Sequence, residues 1–166
     1  VLHGDDAGTV AQAIHGALGA AQVSARDIGY VEASASGIAA QDEAETAGLN
    51  WVYTGGGSIP PTALGSIKAL VGHTGAAAGM ASLIKAALCL QRRFIPATRD
   101  WTGPKTLSDW DQSAFYVASR SRTWFRPAGT LRRAAISGLS EDGTCAHVIL
   151  SDAGVLAADQ PGSAYL

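Results

Sequence analysis

Two side chains that can polarise a carbonyl group, Lys68 and His73, stand five positions apart. After His73 comes a stretch, residues 76–90, in which nearly every side chain is apolar or small. This pattern predicts a buried helix with the imidazole at its N-terminal end. A neutral imidazole there can donate a hydrogen bond to a carbonyl oxygen, and the helix end stabilises negative charge growing on that oxygen. On these residues alone, a satisfied core histidine at a helix cap is an equally open interpretation of His73.

The other reactive or ligand-binding side chains are predicted to be structural. The two cysteines, Cys89 and Cys145, have neither disulfide nor metal-site spacing, so no metal site is predicted and a reducing cytoplasm is expected. Cys89 falls inside the apolar helix, where a thiol is an inert packing group. His147 lies in a strand-like run and is predicted to pack. The tryptophans are predicted to cover the sheet edge rather than to bind a ligand.

Composition excludes several classes of protein. The chain has 166 residues, 47% of them hydrophobic and 16% charged, which is typical of a folded domain. A net charge of −2 gives no electrostatic basis for binding nucleic acid or an anionic membrane. The longest apolar run is too short and too interrupted by glycine to predict a membrane span. The first residue is not Met, and the sequence opens as if cut from a longer polypeptide.

Helical and strand-like patterns alternate along the chain. Helices are predicted near 7–20, 38–49 and 75–92, and strands near 28–33, 63–67, 113–118, 131–138 and 145–151. The predicted fold class is α/β, with a mixed sheet of about five strands covered by helices. The first two helices should pack on one face, and the helix at 75–92 should be the most buried. Residues 1–152 are predicted to form the domain, and 153–166 a linker-like tail.

Residues 65–98, GSIKALVGHTGAAAGMASLIKAALCLQRRFIPAT, contain a lysine, a Gly-His pair five residues on, an Ala/Gly-rich helix start, an Ile-Lys pair and a Pro-Ala-Thr. This order resembles the C-terminal half of a β-ketoacyl synthase, of the thiolase-like fold. SARDIGYVEAS at 24–34 and DGTCAHVILS at 142–151 resemble two further segments of that family. The interval after residue 94 is similar to multidomain synthases of polyketides, polyunsaturated fatty acids or long-chain glycolipid acyl groups.

The chain departs from the family pattern at two sites. The family's first histidine follows Val-Glu-Ala, whereas this chain has Ser34 there, in VEASASG. A serine hydroxyl lacks the reach of an imidazole. The family's closing loop is a glycine-rich gate with two aromatic residues. Here Leu139 and Glu141 occupy the aromatic positions, and only Gly143 and Thr144 match the rest of the gate.

The resemblance implies a decarboxylative Claisen condensation in fatty acid or polyketide biosynthesis. Its cysteine nucleophile belongs to the N-terminal half, so this chain, with Lys68 and His73 as candidate catalytic residues, is not self-sufficient as an acyltransferase. No cofactor is expected in the chain itself, since the acyl or malonyl thioester is carried on the phosphopantetheine of an acyl carrier protein. Expected partners are the N-terminal half, the carrier protein and a second synthase chain in a homodimer or heterodimer. The alternative is a non-condensing protein like a chain-length factor, which shapes the acyl tunnel of an active partner.

Overall fold

The computed structural model describes residues 7–54, 61–104, 110–140 and 142–153. It contains four α-helices and seven strands within these ranges. The helices are α1 (Ala7–Ala21), α2 (Ala39–Thr54), α3 (Lys68–Val71) and α4 (Ala78–Arg92). The strands are β1 (Tyr30–Glu32), β2 (Thr62–Gly65), β3 (Phe94–Ile95), β4 (Phe115–Val117), β5 (Arg122–Thr123), β6 (Arg133–Leu139) and β7 (Cys145–Ser151). Most of the tail predicted at 153–166 lies outside the described residues, so the domain boundary stays a prediction.

Five strands form one mixed sheet in the order β4–β2–β1–β6–β7. The first four run parallel, and β7 turns back antiparallel to β6. Tyr30 at the centre pairs with Ala63 on one side and with Ala134 on the other. Strands β3 and β5 form a separate antiparallel ribbon. The prediction of a mixed, roughly five-stranded sheet covered by helices is confirmed.

Helices cover the sheet on both faces. On one face, α1 and α2 bury a core cluster that includes Ile14, Leu49 and Tyr53 against Val31 and Phe115. On the other face, α4 and the ribbon bury a second cluster against the same sheet. Its members are Tyr30, Ala63, Ala86, Cys89, Leu90, Ile95, Ala118, Trp124, Ala134 and Ile136. The prediction that the first two helices share a face is confirmed, because both contribute to the first cluster.

Helix α4 is less buried within this chain than its sequence predicts. Its buried positions are Ala78, Ser82, Ala86, Cys89 and Leu90. On the opposite side, Met80, Ile84 and Leu88 are 59%, 54% and 49% exposed. The expectation that this helix is the most buried concerns the intact assembly and stays a prediction, whereas within this chain by itself one side of the helix is exposed. The physical reason is that one sheet covers one side of a helix, and an all-round apolar helix needs a second covering layer.

None of the helices in the described part of the chain is both long and apolar enough to cross a bilayer.

Candidate active site

The loop that follows β1 is fastened to α2 by a buried carboxylate. Glu45, only 3% exposed, accepts hydrogen bonds from the backbone N–H groups of Ser34 (2.7 Å) and Ala35 (2.8 Å). Ala35 has a φ of 43°, in the left-handed region that a residue with a Cβ rarely adopts. Two hydrogen bonds to one carboxylate hold the backbone in this unfavourable conformation and so fix the position of Ser34.

Burial raises the pKa of Glu45 to about 7, because desolvation outweighs the two backbone hydrogen bonds that favour the charged form. Asp42 adds to the rise, whereas Lys68 opposes it. One turn before Glu45, the Asp42 carboxylate accepts from Ser36 Oγ (3.1 Å) and from Gly37 N–H (3.1 Å). The acidic side of α2 therefore binds the whole loop from Ser34 to Gly37.

Lys68 reaches across to this loop from another element. Its Nζ donates to the backbone oxygen of Ser34 and to Ser34 Oγ, the latter at 3.1 Å. Burial lowers the pKa of Lys68, although the carboxylates of Glu45, Asp42 and Glu32 act in the opposite direction. The sequence predicts a strand over 63–67. The structure ends β2 at Gly65 and makes Lys68 the first residue of a four-residue helix, α3, too short to give a periodic pattern.

His73 lies on an exposed segment between α3 and α4. Its Nδ1 accepts a hydrogen bond from the Gly75 N–H at 3.1 Å. In the neutral ring this contact places the proton on Nε2, which is then the donor nitrogen of the ring. The predicted helix at 75–92 begins with a single 3-10 turn, Gly75–Ala77, before α4 proper. The imidazole is thus exposed at the entry to the helix rather than buried in the core.

Lys68 and His73 line the same cleft, which has a volume of about 440 Å³. Asp42 and Ser36 lie on its wall, together with Trp101, whose ring packs on that of Trp110 at a centroid distance of 5.6 Å. The remaining lining residues are Ala33, Ala35, Gly37, Leu64, Gly65, Ser66, Ala69, Thr98 and Val117. Ser34 is 5% exposed and lies behind this wall, in contact with Lys68. The two candidate catalytic residues of the sequence analysis are therefore brought together.

The sequence profile of the β-ketoacyl synthase C-terminal domain matches residues 2–102, more than half of the chain.

The chain belongs to this family.

Three relatives of the chain are large biosynthetic enzymes. A polyunsaturated fatty acid synthase of Thraustochytrium sp. is 45% identical over 67% of this chain and 6% of its own length. Erythronolide synthase EryA3 of Saccharopolyspora erythraea is 41% identical over 84% of this chain and 4% of its own. A phenolphthiocerol/phthiocerol polyketide synthase of Mycobacterium tuberculosis is 38% identical over 76% of this chain and 8% of its own length. The chain thus spans a small fraction of the length of these synthases.

Solved ketosynthase domains share the fold. Ketosynthase twelve of the bacillaene polyketide synthase of Bacillus amyloliquefaciens aligns with a TM-score of 0.80 and 29% identity, over 92% of this chain and 27% of that one. The module 6 ketosynthase of the Bacillus subtilis bacillaene synthase aligns with a TM-score of 0.76 and 29% identity, over 81% and 25%. The chain therefore has the thiolase-like ketosynthase fold and corresponds to about a quarter of such a domain. These relatives fit the condensing-enzyme interpretation and not the chain-length-factor alternative.

The described residues at the predicted gate positions are not among those that line the cleft. Leu139 ends β6 and packs partly against the core cluster beneath α1 and α2. Gly143, with a φ of 89°, makes the turn into β7, and the N–H of Thr144 donates to Asp142 Oδ1 at 2.9 Å. These described residues form a tight polar turn, and Glu141 lies outside the described part of the chain. Leu139, Gly143 and Thr144 therefore do not line the cleft that Lys68 and His73 share.

The cysteines and His147 occupy the packing positions that the sequence predicts. Cys89 is 5% exposed, and burial raises the pKa of its thiol to about 11. Cys145 Sγ lies 3.6 Å from the Gly143 oxygen in the β6–β7 turn. His147 Nδ1 lies 3.0 Å from Ser137 Oγ on the paired strand, and burial lowers the pKa of the ring to about 4.

Sequence reasoning missed one buried polar group beside the cleft. Glu32, fully buried on β1, forms an ion pair with Lys85 of α4 at 2.8 Å and accepts a hydrogen bond from Tyr30. The signal was a glutamate within an apolar strand and a lysine within an apolar helix. Charges at such positions are rarely buried without a partner. Trp101 also differs from its predicted role, because it lines the cleft.

Proposed function

We propose that this chain supplies the second-histidine half of a decarboxylative Claisen condensation site, within a β-ketoacyl synthase of fatty acid or polyketide biosynthesis. The observation that carries the proposal is the shared cleft. His73 and Lys68 line it together, and the contact of Nδ1 with the Gly75 N–H leaves Nε2–H as a donor toward an occupant. A donor aimed at a position where negative charge develops is the main requirement of enolate chemistry.

The proposed reaction uses this donor on a thioester carbonyl. A malonyl thioester enters the cleft and loses CO₂, and the electron pair of the broken C–C bond moves onto the thioester carbonyl as an enolate. The Nε2–H of His73 stabilises the enolate oxygen, and the N-terminal end of α4 lies behind it. The enolate carbon then attacks an acyl thioester on the cysteine of the N-terminal half, and that cysteine leaves as the thiolate.

Lys68 contributes to this site by fixing the loop at Ser34. Its ammonium group binds Ser34 and faces the carboxylates of Asp42 and Glu45, whose charge it offsets. Ser34 takes the position of the family's first histidine, and its hydroxyl is already in contact with Lys68. The chain therefore offers one imidazole to the substrate instead of two. This lowers the expected rate without removing the polarising group.

The proposal includes partners that the chain requires. The substrate is carried on the phosphopantetheine of an acyl carrier protein, and the N-terminal half of the synthase packs on the apolar side of α4 formed by Met80, Ile84 and Leu88. The complete synthase is a homodimer or a heterodimer of synthase chains. We propose a cytoplasmic location, since the two cysteines lack disulfide spacing.

The test is CO₂ release from a malonyl thioester by the full protein that contains this chain. His73→Ala should lower the rate by about 10²–10³-fold, the usual effect of removing one oxyanion donor. His15→Ala, which removes an exposed histidine from α1, is the matched control and should leave the rate unchanged. Thermal melts report folding. An unchanged rate in a folded His73→Ala variant would make His73 structural.

A second variant examines the first-histidine position. Ser34→His should raise the rate of CO₂ release, because it returns a second imidazole to the cleft floor. This partial gain is expected only if the N-terminal half carries the cysteine nucleophile. If the wild-type protein releases no CO₂ and Ser34→His releases none either, the chain-length-factor alternative gains.

A further inference from the structure

A fully buried acidic group lies next to the cleft: Glu32 precedes Ala33 and pairs with Gly65, and both of these residues line the cleft. The Glu32 carboxylate is 0% exposed, and its partners come from three elements. Oε2 pairs with Lys85 Nζ of α4 at 2.8 Å and accepts from the hydroxyl of Tyr30 on β1. Oε1 accepts the backbone N–H of Ile67, the N-cap residue directly before α3. The ion pair is itself nearly buried, since the side chain of Lys85 is 12% exposed.

A contribution to folding stability does not by itself explain why Glu32 and Lys85 form a buried ion pair. A buried ion pair is often no better than a well-packed apolar pair of the same size, because desolvation offsets the attraction. The arrangement also constrains the backbone around it. A Cβ at Gly65 would lie 2.7 Å from the Tyr30 hydroxyl and 3.4 Å from Lys85 Nζ. The chain therefore keeps a glycine at the end of β2 to make room for the polar group.

The contact with Ile67 links this group to the cleft. The first N–H groups of a helix have no partner within the helix and need an outside acceptor. Glu32 supplies that acceptor for Ile67, and the next residue is Lys68, whose Nζ reaches Ser34. Ser34 in turn lies two positions after Glu32 on the same segment. One carboxylate thus sets the start of α3 relative to the loop that Lys68 binds.

We propose that Glu32 is a positioning residue: through the Ile67 N–H it fixes the first turn of α3, and so holds Lys68 Nζ against Ser34 at the floor of the cleft. The contribution of Glu32 to condensation rests on the proposed function of Lys68. The positioning of Lys68 by Glu32 does not rest on that function, and it can be measured without catalysis.

The experiment compares two variants of the full protein that differ in one acceptor. Both carry Tyr30→Phe and Lys85→Met, which remove the other two partners of the carboxylate. One adds Glu32→Gln, whose amide oxygen can still accept from Ile67, and the other adds Glu32→Leu, which cannot. The readout is the rate of reductive methylation of Lys68 by formaldehyde, followed by peptide mass spectrometry.

The Leu variant should methylate Lys68 about fivefold faster than the Gln variant, the effect of one lost hydrogen bond on a local equilibrium. The Gln variant should stay within about twofold of wild type. Thr62→Val is the control for general loosening of the sheet. It removes a fully buried hydrogen bond, Thr62 Oγ1 to the Ile28 oxygen at 3.0 Å, and should leave Lys68 labelling unchanged.

Equal labelling in the two folded variants, or equal acceleration by Thr62→Val, would overturn the positioning role. If the Leu variant does not fold, hydrogen exchange of the Ile67 amide in the wild-type protein tests the proposal instead. Slow exchange of this amide supports the positioning role of Glu32, whereas exchange at the rate of an unfolded chain contradicts it. Divergent labelling with equal CO₂ release in both variants would leave the positioning intact and remove Lys68 from the proposed mechanism.

Discussion

At the scale of single residues, Glu45 makes stability depend on pH. Its pKa is raised from an ordinary value of 4.5 to about 7 in the folded protein. Between these values the folded protein keeps a proton that the unfolded chain has released, so the free energy of unfolding falls as pH rises through this window and levels off above it. The total fall is about 3 kcal/mol at most.

Urea unfolding of wild type and Glu45→Gln between about pH 5 and pH 8 measures this dependence. Their difference in unfolding free energy should shift in favour of Glu45→Gln as pH rises, because glutamine does not titrate. A difference that stays constant across the range would show that Glu45 is ionised throughout.

Cys89 is expected to be unreactive for a reason that can be measured. With its pKa raised from 9.0 to about 11, it has about a hundredfold less thiolate at neutral pH than an ordinary thiol. Incubation with an acyl thioester should leave Cys89 unacylated, and iodoacetamide should alkylate it much more slowly than the partly exposed Cys145. Mass spectrometry of the two peptides gives both answers. An acyl adduct on Cys89 would contradict its assignment as a packing residue.

The sequence indicates which residues matter at this scale, but not what they touch. The spacing of Lys68 and His73 predicts a shared site, and both line one cleft. The contact of Lys68 with Ser34 joins residues 34 positions apart, and no local pattern reports such a distance. The sequence also predicts gate positions at Glu141 and its neighbours, whereas the described residues there form a turn that does not line the cleft.

At the scale of elements, the crossing of α1 over α2 depends on one glycine. A Cβ at Gly48 would lie 2.7 Å from Val10 Cβ and 2.8 Å from the Ala7 oxygen. Gly48→Ala should therefore destabilise the protein by about 1–3 kcal/mol, although alanine favours the helix by about 1 kcal/mol. Gly16→Ala in α1 is the matched control, because its Cβ meets nothing within 4 Å. That variant should be stabilised by up to about 1 kcal/mol.

Urea unfolding of both glycine variants against wild type provides the measurement. A stabilised Gly48→Ala would mean that the two helices are farther apart than the structure has them.

Long, periodic elements are the ones that the sequence predicts well. The spacing of Val10, Ile14 and Leu18 predicts α1 within one residue of its observed end, Ala21. Helix α3 was missed because four residues carry no period, and its start depends on a distant carboxylate. The burial predicted for α4 is not complete within this chain, since composition shows that a helix requires apolar neighbours but not whether the same chain contains them.

At the scale of the whole molecule, the exposed side of α4 is expected to be an interior surface of the complete synthase. Ile84 is 54% exposed in this chain. If the N-terminal half covers it, Ile84→Ser should lower the unfolding free energy of the full protein by about 2 kcal/mol or more, as for a core position. Gln12→Ser, at an exposed polar site on α1, is the control and should change it by no more than about 0.5 kcal/mol. An Ile84→Ser variant as stable as wild type would mean that this side of α4 faces water.

The sheet order has a consequence for the synthesis of the protein. Tyr30 in the central strand pairs with Ala134, which the ribosome adds about a hundred residues later. At translation rates of about 5–20 residues per second, β1 waits on the order of ten seconds before its second neighbour exists. During that interval the nascent chain presents an unpaired apolar strand edge, which is a binding surface for chaperones and for other nascent chains. The strand order therefore exposes the growing polypeptide to aggregation for a time that does not depend on the stability of the finished domain.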